Sequence, residues 1–202
     1  MYIYIYIYII RHHLHSHEIA WGSGSQQQSV TGHGSHADQG SNWLIKEPHK
    51  GTDIKSAGTP IACGDKIRLE HIKTKKNLHS HLFKSALTRN QEVSGFGDQG
   101  KGDTGDDWII MCPADKKYWL RGEFVEFKHA DTGKYLYTSN KAKFNAQNCG
   151  VQCPIAGQTE VSSATGRGEG GVTKWQTTQG MYFPSKDGIG ISNDEDDEDD
   201  EL

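Results

Sequence analysis

The chain lacks more than it contains. No stretch of its 202 residues is apolar for the roughly 20 residues that a spanning helix needs, so it is not expected to cross a membrane. No amphipathic segment runs long enough at helical period to form a convincing helix. There is no Asn-x-Ser/Thr sequon, so N-glycosylation is not expected. Walker-type loops and Gly-x-Ser-x-Gly elbows are missing, as is any nucleophile with an assignable base. Gly22-Ser-Gly-Ser-Gln26 is a loop and not a phosphate cradle, because no helix start follows it. No catalytic residue is therefore named, no cofactor is expected, and the chain is read as a non-enzyme. Five prolines, 24 glycines and a hydrophobic content of 34% suit many short strands around a lean core, which makes the chain all-β.

Charge is short on one sign once the tail is set aside. Asp194–Glu201 holds eight of the 26 acidic residues, and the remaining 18 face 22 lysines and arginines. The body is mildly basic, but it has no clustered stripe, so nucleic acid is not an expected partner. The acidic run is expected to be a solvated, disordered tail. It has no EF-hand spacing and would hold Ca²⁺ only loosely.

What is present is a sentence written three times. Leu14-His-Ser-His17 leads to Gln28–Gly32 and then Trp43. Leu78-His-Ser-His81 leads to Gln91–Gly95 and Trp108; Tyr135-Leu136-Tyr-Thr138 leads to Gln158–Ser162 and Trp175. The tryptophans are 65 and 67 residues apart. A period that regular marks one supersecondary unit used three times. Upstream, Ile67/Leu69 and Val125/Phe127 each mark one strand face, and His71-x-x-Thr74 and His129-x-x-Thr132-Gly133 read as hairpin turns. The core repeated in each copy is Leu14 with Trp43, Leu78 with Trp108, and Leu136 with Trp175. Core packing is the expected role of the tryptophans, since a ligand site would rarely need all three alike; a stacking platform is the alternative.

The first ten residues depart from the pattern. Tyr2–Ile10 alternates Tyr and Ile with both faces apolar, and it has neither a basic start nor a cleavage site of small residues. An alternating T-A dinucleotide run encodes Tyr-Ile repeats. Residues 1–10 are thus expected to be a gene-model artefact replacing a signal peptide and the first strand. The folded body is expected over 11–191, in copies of about 11–56, 57–115 and 116–191, with the acidic tail at 192–202.

The residues Leu14-His-Ser-His17, Gly22–Gly32, Asn77-Leu-His-Ser-His81, Asn90–Gly97 and Asp106-Asp-Trp108 resemble the MIR repeat of protein O-mannosyltransferases and of inositol-trisphosphate and ryanodine receptors. The whole arrangement is similar to the stromal cell-derived factor 2 family. The resemblance covers roughly Arg11 to Phe183 and implies a β-trefoil with pseudo-threefold symmetry. Physics favours the same choice. Three copies are too few for most propellers, and an open array would need polar capping repeats. The resemblance also implies a protein of the endoplasmic-reticulum lumen that joins a J-domain co-chaperone and the luminal Hsp70, BiP, and keeps unfolded clients from aggregating. The residues that bind those partners are not named by it. A lectin-like module linked to protein O-mannosylation is the alternative.

The tail supports the luminal reading. Asp199, Asp200, Glu201 and Leu202 resemble the KDEL/HDEL class of retrieval signals, although Asp199 stands where Lys or His is usual. A retrieval receptor would be its partner. In a trefoil copy the ends meet, so Cys63 and Cys112, which bracket copy two, suit a disulfide. Two reduced thiols would be the reading for a cytosolic chain. Cys149 and Cys153 suit a loop disulfide, or a pairing to a lost N-terminal cysteine, better than zinc. The His15/His17 and His79/His81 pairs each put two imidazoles on one strand face, but no third ligand can be named, so no metal is expected.

Overall fold

The computed structural model describes residues 2–7, 10–34, 38–51, 59–166 and 172–181. Twelve strands appear, four per copy. Copy one holds β1 (Tyr2–Ile7), β2 (His12–Ala20), β3 (Gln28–His33) and β4 (Asn42–Lys46). Copy two holds β5 (Lys66–His71), β6 (Lys76–Lys84), β7 (Gln91–Phe96) and β8 (Trp108–Met111). Copy three holds β9 (Phe124–His129), β10 (Tyr135–Lys143), β11 (Thr159–Ala164) and β12 (Trp175–Met181). Among the described residues one short α-helix, α1 (Ala146–Cys149), joins β10 to β11.

The pairing is that of a β-trefoil. β1, β4, β5, β8, β9 and β12 close a six-membered antiparallel ring, β1 meeting β12 at one junction and β4 at the other. The hairpins β2–β3, β6–β7 and β10–β11 cap one end. There β3, β7 and β11 pair with one another in a triangle. Closure leaves the ring no edge strand to recruit another chain. The Tyr/Ile segment at residues 2–7 is one of the ring strands. Residues 182–202, including the expected tail and its last four residues, lie outside the described residues.

Strand alternation builds the core. Successive side chains point to opposite faces, so Trp43, Ile67 and Leu69, Trp108 and Ile110, Val125 and Phe127, and Trp175 all turn inward. Leu14, Leu78 and Leu136 from the hairpins meet them, and all three repeated tryptophans are 0% exposed. Each indole N–H donates to the carbonyl of its own copy's leucine: Trp43 to Leu14 at 2.9 Å, Trp108 to Leu78 at 2.9 Å, Trp175 to Leu136 at 3.1 Å. Those bonds satisfy a donor that would be costly to bury alone, and they hold although the Leu–Trp separation is 29, 30 and 39 residues in the three copies.

The His-x-x-Thr turns are also interior parts. His71 and His129 are buried; their Nδ1 atoms pair with Thr74 and Thr132 at 2.8 and 2.9 Å. Their Nε2 atoms donate to the carbonyls of Gly40 and Gly105 in the preceding copy, both at 3.0 Å. Burial is the main cause that lowers both imidazole pKa values, to about 4 for His71. At the turn's last position Arg11, Lys75 and Gly133 all take left-handed φ, 53°, 56° and 68°. Copy three alone spends a glycine there, the residue that adopts such a φ without penalty.

Candidate functional site

The seam between copies one and two carries the candidate site. An open cleft of about 620 Å³ lies between the β2–β3 hairpin and the start of β6–β7. Ile19, Ala20 and Phe96 give it apolar surface, Gln26 and Gln27 line it with amides, and Glu18, Lys76 and Asp98 bring charge. Lys76 is held in place by donating to the Gly97 carbonyl at 2.9 Å.

A hydrogen-bonded line runs from this cleft to an exposed apolar pair. Ser25, next to Gln26, bonds through its backbone N–H (3.3 Å) and its hydroxyl to the Glu92 carboxylate. Glu92 is buried and also accepts from His81 Nε2 at 3.0 Å. The His81 ring stands edge-on to Phe83, 5.1 Å between centroids. Phe83 is 54% exposed and its neighbour Leu82 is 85% exposed. Two consecutive large apolar side chains at the outer end of β6 are not needed by the core.

Glu92 has a counterpart in copy three. The Glu160 carboxylate accepts from the backbone N–H groups of Leu87 and Thr88 at 2.6 and 2.9 Å, and from the Ser85 hydroxyl at 3.2 Å. Each carboxylate thus clamps the β-hairpin loop of the copy before it. The equivalent position in copy one is Ser29, whose buried hydroxyl has no hydrogen-bond partner among the described residues. The loop it would serve, between β10 and β11, is closed by a Cys149–Cys153 disulfide and packs Phe144 and Ile155 on Trp21. Cys63 and Cys112 form the other disulfide, between the segment before β5 and the end of β8.

The two His-x-His pairs serve different ends. In copy two, His79 Nδ1 pairs with the buried Asp106 carboxylate at 2.9 Å, and Asp106 also accepts from Asn77 at 2.9 Å. With His81 held by Glu92, both imidazoles are committed to carboxylates. In copy one, His15 Nε2 faces Asp38 at 3.2 Å, while His15 Nδ1 lies 3.3 Å from His17 Nδ1. The rings of His15 and His33 stack with centroids 4.8 Å apart. Burial, only partly offset by Asp38, lowers His15 to about 4. Burial and then His33 lower His17.

Sequence reading missed Glu92, Glu160 and the Leu82–Phe83 pair. A signal existed for each: Gln91-Glu-Val and Thr159-Glu-Val stand against Gln28-Ser-Val, and Leu82-Phe83 breaks the alternation of its strand. Nothing local could have joined Asp38 to His15, because the link crosses a loop and two strands. Asp199, Asp200, Glu201 and Leu202 lie outside the described residues. Among the described residues, no helix is long and apolar enough to cross a membrane.

Residues 8–119 match the MIR domain. The stromal cell-derived factor 2-like protein of Dictyostelium discoideum is 48% identical over 165 residues, covering 82% of this chain and 72% of its own. The crystal structure of the SDF2-like protein from Arabidopsis thaliana superimposes with a TM-score of 0.80 at 38% identity, covering 92% of this chain and 96% of that one. The S. cerevisiae protein O-mannosyltransferase Pmt1-Pmt2 complex bound to the sugar donor matches with a TM-score of 0.71 at 26% identity. That match covers 88% of this chain and 24% of the other.

Proposed function

The chain belongs to the stromal cell-derived factor 2 family, and from that premise we propose that it is a non-enzymatic part of a chaperone complex in the endoplasmic-reticulum lumen. It binds a J-domain co-chaperone and BiP and helps hold unfolded secretory clients apart. The observation that carries this reading is the exposed Leu82–Phe83 pair, set on a strand that Glu92 and His81 stiffen. Covering two such side chains would contribute about 1.5–3 kcal/mol each, and the rigid strand beneath them loses little freedom when they are covered. Two disulfides fit an oxidising compartment. The acidic-Glu-Leu terminus at Asp199–Leu202 would be read by a retrieval receptor and keep the complex in the lumen.

A second reading rests on the cleft. Its amides and the Phe96 ring are the groups that hold and stack a sugar, and a MIR-bearing O-mannosyltransferase has the same fold. In this reading the chain is a lectin-like glycan-binding module. One pull-down from luminal extract separates the two. The chaperone reading expects a J-domain protein and BiP, insensitive to free mannose, and expects both to be lost from the Leu82→Ser/Phe83→Ser chain. Recovery of mannose-eluted glycoproteins without those partners overturns it.

A further inference from the structure

We infer that copy one carries a binding site for a late first-row divalent cation such as Zn²⁺, Ni²⁺ or Co²⁺, formed by His15 on β2, His33 at the end of β3, and Asp38 at the start of the following turn. This site shares no residue with the cleft and does not depend on the chaperone reading.

The three side chains offer two imidazole nitrogens and one carboxylate oxygen, all within 4.8 Å of one another. A tetrahedral zinc site with bonds of about 2.0–2.1 Å puts its ligand atoms roughly 3.3 Å apart. His15 Nε2 and Asp38 Oδ1, at 3.2 Å, already stand at that separation. His33, half-buried at a strand end and stacked on the His15 ring, brings its own nitrogen within 4.8 Å of both. Two nitrogens and one oxygen are a donor set that suits these metals over Ca²⁺ or Mg²⁺, which take oxygen ligands.

The surroundings orient the ligands. His15 Nδ1 faces His17 Nδ1 at 3.3 Å. When His15 donates there, its Nε2 lone pair is left pointing at the Asp38 carboxylate. Two acceptors that close need a cation between them, and a metal can take the place of the proton. Metal-bound histidines usually donate their other ring N–H to an outer acceptor that fixes the tautomer, and His17 Nδ1 can be that acceptor for His15. Gly40 gives the ring its space: a Cβ there would come within 2.7 Å of the Ser16 carbonyl and closer still to His15. The Gly40 N–H also donates to Asp38 at 2.8 Å, which fixes the carboxylate.

The pseudo-symmetric copies supply the comparison. Copy two keeps His79 and Asp103 but has Phe96 where copy one has His33, and its His79 is already paired with the buried Asp106. Copy three has Tyr137 in place of His15 and Ala164 in place of His33. Copy one alone combines two imidazoles with a carboxylate. The sequence offered no third ligand because His33 and Asp38 join His15 only when the hairpin closes.

The test titrates the full chain with ZnCl₂ by calorimetry and with Co²⁺ by visible absorption. One site per chain is expected, with the intense absorption bands of a low-coordinate Co²⁺ centre and no competition from excess Ca²⁺. His33→Phe, the residue copy two uses, and Asp38→Asn should each weaken Zn²⁺ binding at least tenfold. Both should leave the metal-free melting temperature within a few degrees of wild type, since neither side chain is in the core. Zn²⁺ affinity unchanged in both variants overturns the inference, as does displacement by Ca²⁺, which would place the ion on the acidic run Asp194–Glu201. So does the absence of Zn²⁺ binding at 100-fold excess over protein.

Discussion

Glu160→Gln should be far more damaging than its near-identical shape suggests. The Glu160 carboxylate is 1% exposed, and its four donors come from a single loop of the neighbouring copy: Leu87 N–H, Thr88 N–H and the hydroxyls of Ser85 and Thr88. Both oxygens are used, one by Leu87 and the other by the remaining three. Glutamine keeps the size but turns one oxygen into an NH₂ group. The best orientation puts that NH₂ against Leu87 N–H, leaving a buried donor unmet at a cost of about 1–3 kcal/mol. The other bonds lose their charge assistance, which roughly halves each. The sum is about 3 kcal/mol. At about 2–4 °C per kcal/mol for a domain of this size, the melting temperature should fall by about 6–12 °C. Hydrogen exchange should speed up first at the amides of Leu87 and Thr88. Ser29→Ala is the internal control. Its hydroxyl sits at the same position in copy one without a hydrogen-bond partner among the described residues, so removing it should change stability by less than about 0.5 kcal/mol. If Glu160→Gln melts within about 2 °C of wild type, or Ser29→Ala falls as far as it does, the clamp reasoning is wrong.

Three further outcomes follow from the same structure. Replacing Cys63 and Cys112 by Ser should cost about 4 kcal/mol, against about 2 kcal/mol for Cys149 and Cys153, because the unfolded loop they close is longer; chemical denaturation of the two double variants checks the order. Stability should be highest above pH 6.5 and fall as pH drops from 6.5 to about 4, with no further loss from His71 below that. The folded His71 pKa lies below its unfolded value, so the unfolded chain takes up the proton first, and the contribution lost is about 3 kcal/mol. Urea midpoints measured across that range check it, and a His71→Gln chain should show a shallower slope. Gly105→Ala should destabilise by more than 1 kcal/mol, because the new Cβ would come within 2.9 Å of both the Ser80 carbonyl and His79 Nδ1; a midpoint equal to wild type would show that the 3-10 turn at Thr104–Asp106 can yield.

The trefoil was legible because its information repeats. Leu14, Leu78 and Leu136 with their tryptophans state one packing solution three times, and a period cannot hide in a single sequence. His71-x-x-Thr74 was legible as a turn but not as a buried clip onto Gly40, since a turn is local and the clip spans 31 residues. The clamps by Glu92 and Glu160 were overlooked because a glutamate beside a buried valine on a strand reads as solvent-facing. Only the triangle of β3, β7 and β11 turns that face toward a neighbouring loop. The candidate seam shares the difficulty: Gln26, Lys76 and Phe96 are distant in sequence and meet only after closure.

The ring closes where β1 meets β12, which pairs residues 2–7 with residues near 176–181. On a ribosome those are the first and last strands of the fold to emerge. Until β12 leaves the exit tunnel, β1 and β9 each lack a partner strand, and Trp175 is absent from the shared core. Copies one and two can form their hairpins early, but the barrel cannot seal before β12, which ends at Met181, has been made. At about 5–20 residues per second, its β-edges stand open for roughly ten seconds or more. During its own synthesis this chain presents the same unpaired strands as the unfolded secretory proteins it is proposed to protect.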